Sequence, residues 1–123
     1  MLSRRLLVGC PRLDLVGVDM GVRGDRRKKQ EQIAKEFRRF RLLLCASVIA
    51  STLVDDGWAD FVFIDAGHSY KAVQSDIRVW LPKVRKGGWF GGHDYHEFYP
   101  GVMHAVDETF PKRTLLDYSV WHA

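Results

Sequence analysis

The chain has no long hydrophobic run. No apolar stretch approaches the roughly 18 residues needed to span a bilayer, which excludes an integral helical membrane protein. Cysteine is nearly absent, with only Cys10 and Cys45 in 123 residues and no C-x-x-C pair, so neither a disulfide framework nor a closed zinc site is expected. Reduced thiols in a cytoplasmic protein fit this usage. There is no low-complexity tract and no internal repeat. Apolar residues make up 46% and charged residues 28%, a balance that excludes disordered, collagenous and coiled-coil chains and fits a single domain. Leu7-Val8-Gly9-Cys10 after Arg4-Arg5 has the outline of a lipoprotein cleavage site. The apolar segment before Cys10 is too short for a signal, which needs about 7–15 residues.

What is present is unevenly distributed. The net charge of +4 conceals nine basic residues between Arg23 and Arg41, opposed only by Asp25, Glu31 and Glu36. That stretch carries +6 and the remainder −2. It could contact nucleic acid or another polyanion by counterion release, or it could be a solvated helix face. Ile33, Phe37 and Phe40 fall at i, i+4 and i+7, which favours the helix face and predicts a helix over about 26–40. No aromatic residues interleave the cations as a single-strand platform would require.

The remaining pattern alternates helix and strand. A helical piece over 2–8 ends near Gly9 and Pro11. Leu15–Val18 reads as a buried strand closed by Asp19, Leu42–Cys45 as a second strand, and Val48–Leu53 as a short helix. Phe61–Ile64 is the clearest strand and ends in Asp65. A helix over about Lys71–Leu81 follows, with Val73, Ile77, Trp80 and Leu81 inward. Lys86-Gly87-Gly88 reads as a turn before a strand, Trp89–Gly92, weakened by its glycines. Pro100 opens a helix with Val102, Ala105, Val106 and Phe110 as its inner face. Thr114–Tyr118 and Ser119–His122 read as two final strands. This order predicts an α/β fold with a parallel sheet covered by helices.

In such sheets ligands bind beyond the carboxyl ends of the strands. Asp19, Asp65 and Asp94 all fall at such ends. Asp19 could accept hydrogen bonds from a ribose diol, or could simply begin a loop. Asp65 with His68, and His93 with Asp94, bring carboxylates and imidazoles to two strand ends. They could hold a divalent ion or orient a general base, or they could cap the following loop and helix. Carboxylate oxygen favours magnesium or manganese, and one imidazole with two carboxylates also suits zinc or iron.

The run Asp60-Phe61-Val62-Phe63-Ile64-Asp65-Ala66-Gly67-His68-Ser69-Tyr70 resembles the fourth-strand motif of class I S-adenosylmethionine-dependent methyltransferases. Trp80-Leu81-Pro82, Lys86-Gly87-Gly88, Gly92-His93-Asp94-Tyr95, Pro100-Gly101-Val102 and the closing Ser119-Val120-Trp121 follow in the order of the small-molecule and sugar O-methyltransferase branch. The resemblance implies a Rossmann-like, mostly parallel sheet ending in an antiparallel hairpin. It also implies S-adenosylmethionine as cofactor, Mg2+ as a metal in some members, and a small-molecule or sugar hydroxyl as acceptor. Residue by residue, it implies Asp19, Met20, Ser47 and Asp65 around the cofactor, with Asp19 on the ribose and Ser47 near the adenine. Asp65, His93 and Asp94 fall at the metal, and His68 stands with Asp65 in the chemistry, at the place of a general base that is often lysine in the family. The first strand and glycine-rich loop of the family precede the segment matched by Leu2–Val8. The resemblance therefore implies a truncated domain over residues 1–123. Its sheet would be a fragment, would close up between the Asp19 and Asp65 strands, or would be completed by a second copy of the chain. The alternative is a non-catalytic remnant that binds a partner through the basic Arg23–Arg41 helix.

Overall fold

The computed structural model describes residues 2–21, 24–117 and 119–123. Arg23, which begins the basic stretch, and Tyr118, expected in a C-terminal strand, lie outside the described residues. The chain divides into two compact units, Met1–Ala50 and Ser51–Ala123. Among the described residues no helix is long and apolar enough to cross a membrane.

In the first unit, α1 (Leu2–Gly9) leads to β1 (Leu15–Asp19), α2 (Asp25–Glu36) and β2 (Phe40–Leu44). The strands β1 and β2 pair in parallel, from Leu15 opposite Phe40 to Asp19 opposite Leu44. Leu7, Ile33 and Phe40 are almost completely buried and form the core, flanked by Leu15, Ala34, Phe37 and Leu42. Gly17 faces the ring of Phe40, where a Cβ would approach two ring carbons to 2.9 Å, so the glycine makes room for the aromatic side chain. The short helix α3 (Ser47–Ser51) straddles the boundary of the units.

The expected helix over 26–40 is shorter. Phe37 turns to an extended conformation (φ −120°, ψ 107°) after its N–H donates to the Ile33 carbonyl, and Phe40 already belongs to β2. The spacing of the three apolar residues mimicked one helical face, but Phe40 reaches the same core from a strand. Arg39 departs from the solvated-face reading too. Its guanidinium donates to the carbonyls of Leu7 (3.1 Å), Cys10 (3.0 Å) and Leu13 (2.7 Å), satisfying the C-terminal end of α1 and the loop beyond it.

In the second unit, β3 (Ala59–Ile64), α4 (Tyr70–Trp80), β4 (Val84–Gly92), α5 (Pro100–Thr109), β5 (Thr114–Leu116) and β6 (Val120–His122) follow in order, with a 3₁₀ turn at Leu81–Lys83. The strand order is β3-β4-β6-β5, with β3 and β4 parallel and β6 antiparallel to both β4 and β5. This is the expected mixed sheet with a C-terminal antiparallel hairpin. Val73 and Ile77 of α4, and Val102, Ala105 and Val106 of α5, pack with Ile64, Phe90, Tyr95 and Trp121. Each large apolar side chain so buried contributes roughly 1.5–3 kcal/mol.

Lys86-Gly87-Gly88 is not a turn before the strand. Between the pairs Ala59–Val84 and Phe61–Trp89, β3 advances two residues and β4 five, so this segment bulges out within β4, with Gly87 at φ 74°. The glycines at the end of β4 are required by close packing. A Cβ on Gly92 would lie 2.5 Å from the Ile64 carbonyl oxygen, and one on Gly91 would strike the Trp121 carbonyl. The strand accepts these glycines because backbone from both neighbours occupies the space.

Candidate active site

The β-branched and aromatic run of β3 ends at buried Ile64, and the chain then emerges at exposed Asp65. On the neighbouring strand, the His93 N–H donates to the Ile64 carbonyl (2.9 Å), extending the ladder one residue beyond β4. Asp65 and the His93-Asp94 pair thereby leave the sheet side by side at the carboxyl ends of parallel strands. Asp65, His93 and Asp94 each present a ligand atom, and these atoms all lie within 4.8 Å of one another.

The loop after Asp65 is set by α4 and α5. Ser69, rather than His68, caps α4, its Oγ accepting from the Ala72 N–H (3.3 Å). Gly101, in the first turn of α5, lets the backbone of His68–Tyr70 pass closely, since a Cβ there would lie 2.6 Å from the Tyr70 nitrogen and 2.7 Å from the His68 carbonyl oxygen. The His68 ring stacks on Tyr99 with centroids 4.2 Å apart, which fixes its plane.

Asp94 is the centre of the cluster. Its backbone is left-handed (φ 63°), uncommon for a residue with a side chain, and its carboxylate is only 16% exposed. Oδ2 lies 2.8 Å from His68 Nε2, and Oδ1 lies 2.8 Å from His93 Nδ1. The other nitrogen of His93, Nε2, lies 3.0 Å from Ser119 Oγ. Ser119 and Tyr99 were not singled out from the sequence. Ser119 could have been found from pairing register alone, because Gly91 opposite His122 and Gly92 opposite Trp121 carry on to Asp94 opposite Ser119. A small pocket borders Asp65, Gly67, His68, His93 and Asp94, and it is backed by Trp121, which is 1% exposed.

Asp65, His68, His93 and Asp94 are thus brought together as expected of the two strand ends. The exposed Asp65 carboxylate, the half-buried Asp94 carboxylate and an imidazole suit a divalent cation that prefers oxygen ligands. The Asp94–His68 contact also suits a general base held by a carboxylate.

The other expected residues belong to the first unit. Asp19 ends β1, and its carboxylate accepts from the Gly21 N–H (3.2 Å) and from Gln30 Nε2 (3.1 Å), closing a loop at which Gly21 takes φ 90°. Met20 is 80% exposed, and Ser47 is the first residue of α3. Of the basic stretch, Arg27 pairs with Glu31 and Arg39 is tied to carbonyls, whereas Arg26, Lys28, Lys29, Lys35, Arg38 and Arg41 are exposed.

Away from the cluster, Tyr95, Asp107 and Arg113 form a half-buried network. The Tyr95 hydroxyl donates to Asp107 Oδ1 (2.7 Å), and Arg113 pairs with Asp107 (2.8 Å). Burial, then the Asp107 carboxylate, raises the Tyr95 pKa above the ordinary phenol value against the lowering effect of Arg113. Tyr70 is likewise raised, chiefly by its hydrogen bond to Glu108.

Residues 5–95 match a family model described as a methyltransferase domain. No curated protein shows a match to the chain. A crystal structure of a protein from Corynebacterium glutamicum is similar in fold, with a TM-score of 0.73 at 16% identity, over 98% of this chain and 65% of that one. The apo structure of CalS11, a TDP-rhamnose 3'-O-methyltransferase of calicheamicin biosynthesis, superposes with a TM-score of 0.65 at 14% identity, over 98% of this chain and 63% of that one. The chain therefore spans just under two thirds of the length of both structures. The fold they share with it is the Rossmann-like one.

Proposed function

We propose, from the premise that this chain belongs to the methyltransferase domain family, that it serves S-adenosylmethionine-dependent methyl transfer to a hydroxyl of a small molecule or sugar. The observation that carries this reading is the convergence of Asp65, His93 and Asp94 within 4.8 Å, with His68 on Asp94, at the carboxyl ends of two parallel strands. The likeness in fold to CalS11, a TDP-rhamnose 3'-O-methyltransferase, supports a sugar hydroxyl as one acceptor class.

Asp19, Met20, Ser47 and Asp65 are the cofactor residues in this reading, with the Asp19 carboxylate on the ribose diol. It would exchange a hydrogen bond from its own loop for one from the ribose. Asp65 and Asp94 would hold a divalent ion such as Mg2+, and His93 is the third donor group in reach. When bound, that ion supplies a Lewis acid that lowers the pKa of the acceptor hydroxyl. The remaining chemistry belongs to the side chains. Because His68 Nε2 faces the Asp94 carboxylate, Nδ1 is the free nitrogen that takes the hydroxyl proton, and Asp94 stabilises the imidazolium so formed. The acceptor oxygen forms its bond to the methyl carbon as the carbon–sulfur bond breaks, leaving both electrons on sulfur and S-adenosylhomocysteine as product.

Titration calorimetry of S-adenosylmethionine and S-adenosylhomocysteine into the purified chain, with and without Mg2+, tests the reading. Micromolar binding that weakens in Asp19→Ala is expected. No binding of either compound under both conditions overturns it.

A further inference from the structure

Trp121 on β6 is the largest of the fully buried side chains, and its ring packs against Phe90 and Phe110. Its Nε1–H has no hydrogen-bond partner among the described residues. A buried donor left unpaired costs about 1–3 kcal/mol, and a buried indole N–H ordinarily meets an acceptor. The nitrogen-bearing edge of the ring lies at the end of β4. A Cβ on Gly92 would come within 3.0 Å of Cε2, the carbon bonded to Nε1, and Gly92 leads directly into His93 and Asp94. There the indole forms part of the wall of the small pocket beside Asp65 and Asp94.

Two properties of that pocket decide what meets the indole. Its volume is about 10 Å³, near the least that one water molecule needs and too little for a larger group. Its wall is mixed, since Ile64, Val73 and Val102 offer no polar side chain whereas Asp65 and Asp94 bring carboxylates. A wholly apolar cavity would stay dry, but a water is held where two to four polar groups surround it. We propose that this pocket is a binding site for one water molecule, which accepts from Trp121 Nε1–H and donates to the Asp94 carboxylate. That carboxylate is only 16% exposed, and with Oδ1 on His93 and Oδ2 on His68 each oxygen keeps a further lone pair. The second hydrogen of the water is free for Asp65. The water thereby joins the aromatic core behind β4 to the carboxylates at its end. It needs neither an ion nor the cofactor, so it stands independently of the reaction proposed above.

Water-selective Overhauser spectra of the 15N-labelled chain, recorded in the laboratory and rotating frames without added ligand, test this site. Among the four tryptophans, the indole signal of Trp121 is the one missing from Trp121→Phe. Should that variant not fold, contacts with Phe90 and Phe110 identify the signal in the wild type. The Trp121 Nε1–H should show a cross-peak to water of opposite sign in the two frames, the mark of a long-lived contact. No hydroxyl side chain borders the pocket to relay it. Trp58, which is 50% exposed, should show only brief surface hydration. In Asp94→Gly the water loses its acceptor and part of its wall, and the Trp121 cross-peak should be lost. Absence of a long-lived water contact at Trp121 in the wild type overturns the site. A cross-peak of full intensity in Asp94→Gly overturns its anchoring by Asp94.

Discussion

Asp94 Oδ2 and His68 Nε2 lie 2.8 Å apart although 26 residues separate them in the chain, and Asp94 makes the contact from a left-handed backbone (φ 63°). Local strain and side-chain chemistry can therefore be separated at this position. Asp94→Gly removes the carboxylate but relieves the backbone, whereas Asp94→Ala removes it and keeps the strain. We expect Asp94→Ala to be less stable than Asp94→Gly by about 1 kcal/mol in urea unfolding. Both variants should lose the same function. Equal stability of the two would show that φ 63° at Asp94 carries no cost.

Asp65 offers a cleaner test of ion binding, because no hydrogen bond of the His68–Asp94–His93 chain passes through it. Asp65→Asn keeps the shape of the side chain and removes its charge. Mn2+ affinity should drop at least about 10-fold while the melting temperature in the absence of metal stays within a degree or two, since exposed surface changes rarely exceed about 0.5 kcal/mol. Retained affinity in Asp65→Asn would remove this carboxylate from the ion site.

The strand ends were legible because the signals are local. Hydrophobic runs over Leu15–Val18 and Phe61–Ile64 closed by aspartate identify strands and place Asp19 and Asp65 without knowledge of the partners, although β1, expected to be buried, is only half-buried along its length. The spacing of Val73, Ile77, Trp80 and Leu81 and the start at Pro100 likewise made visible the helices that run over Tyr70–Trp80 and Pro100–Thr109. What escaped depends on tertiary contact. Phe37 and Phe40 match a helical period only by coincidence, and the turn at Phe37 serves to deliver Phe40 to the β1–β2 core. The cations of 26–41 read as one class, yet Arg39 is spent on the carbonyls of Leu7, Cys10 and Leu13. Ser119 acquires its contact only through the register of β4 and β6, which lies 26 residues from His93 in sequence. The glycines of β4 look like weaknesses until the carbonyls of Ile64 and Trp121 fill the space beside them.

Gly91 is the position at which that filling is tightest. Alanine there would drive its Cβ into the Trp121 carbonyl and the Trp89 ring, and backbone cannot yield as a flexible side chain does. Gly91→Ala should cost at least about 3 kcal/mol, the upper range of overpacking, and expel β6 from its place beside β4. The melting temperature and near-UV signal of the tryptophans would report it. A variant that melts with the wild type would contradict the packing described for this strand.

Arg39→Ala should destabilise the protein by about 1–3 kcal/mol, because three carbonyls lose a charged donor at once. Arg39→Lys should recover only a fraction, since an ammonium cannot spread its donors as a planar fork does. The comparison with Lys28→Ala is the informative one. Lys28 is exposed on α2, and its loss should change the unfolding free energy measured in urea by less than about 0.5 kcal/mol. Equal effects at Arg39 and Lys28 would return Arg39 to the solvated surface.

Alkaline titration should reveal the buried phenol. The Tyr95 pKa is raised by burial and by Asp107, so the native state holds its proton in a range where the unfolded chain, at about 10, has released it. A group whose native pKa is raised contributes stability that is complete below the unfolded pKa and is lost as pH rises through the native one. The urea midpoint should therefore fall more steeply in the wild type than in Tyr95→Phe as the pH rises above about 10. The phenylalanine variant starts lower, because Asp107 loses a donor, and its curve should be flatter across that window. Tyr70→Phe serves as the second arm, with the hydrogen bond to Glu108 as the cause of its raised pKa. Parallel curves for the wild type and Tyr95→Phe would mean that the Tyr95 proton is no harder to remove in the folded protein than in the unfolded chain.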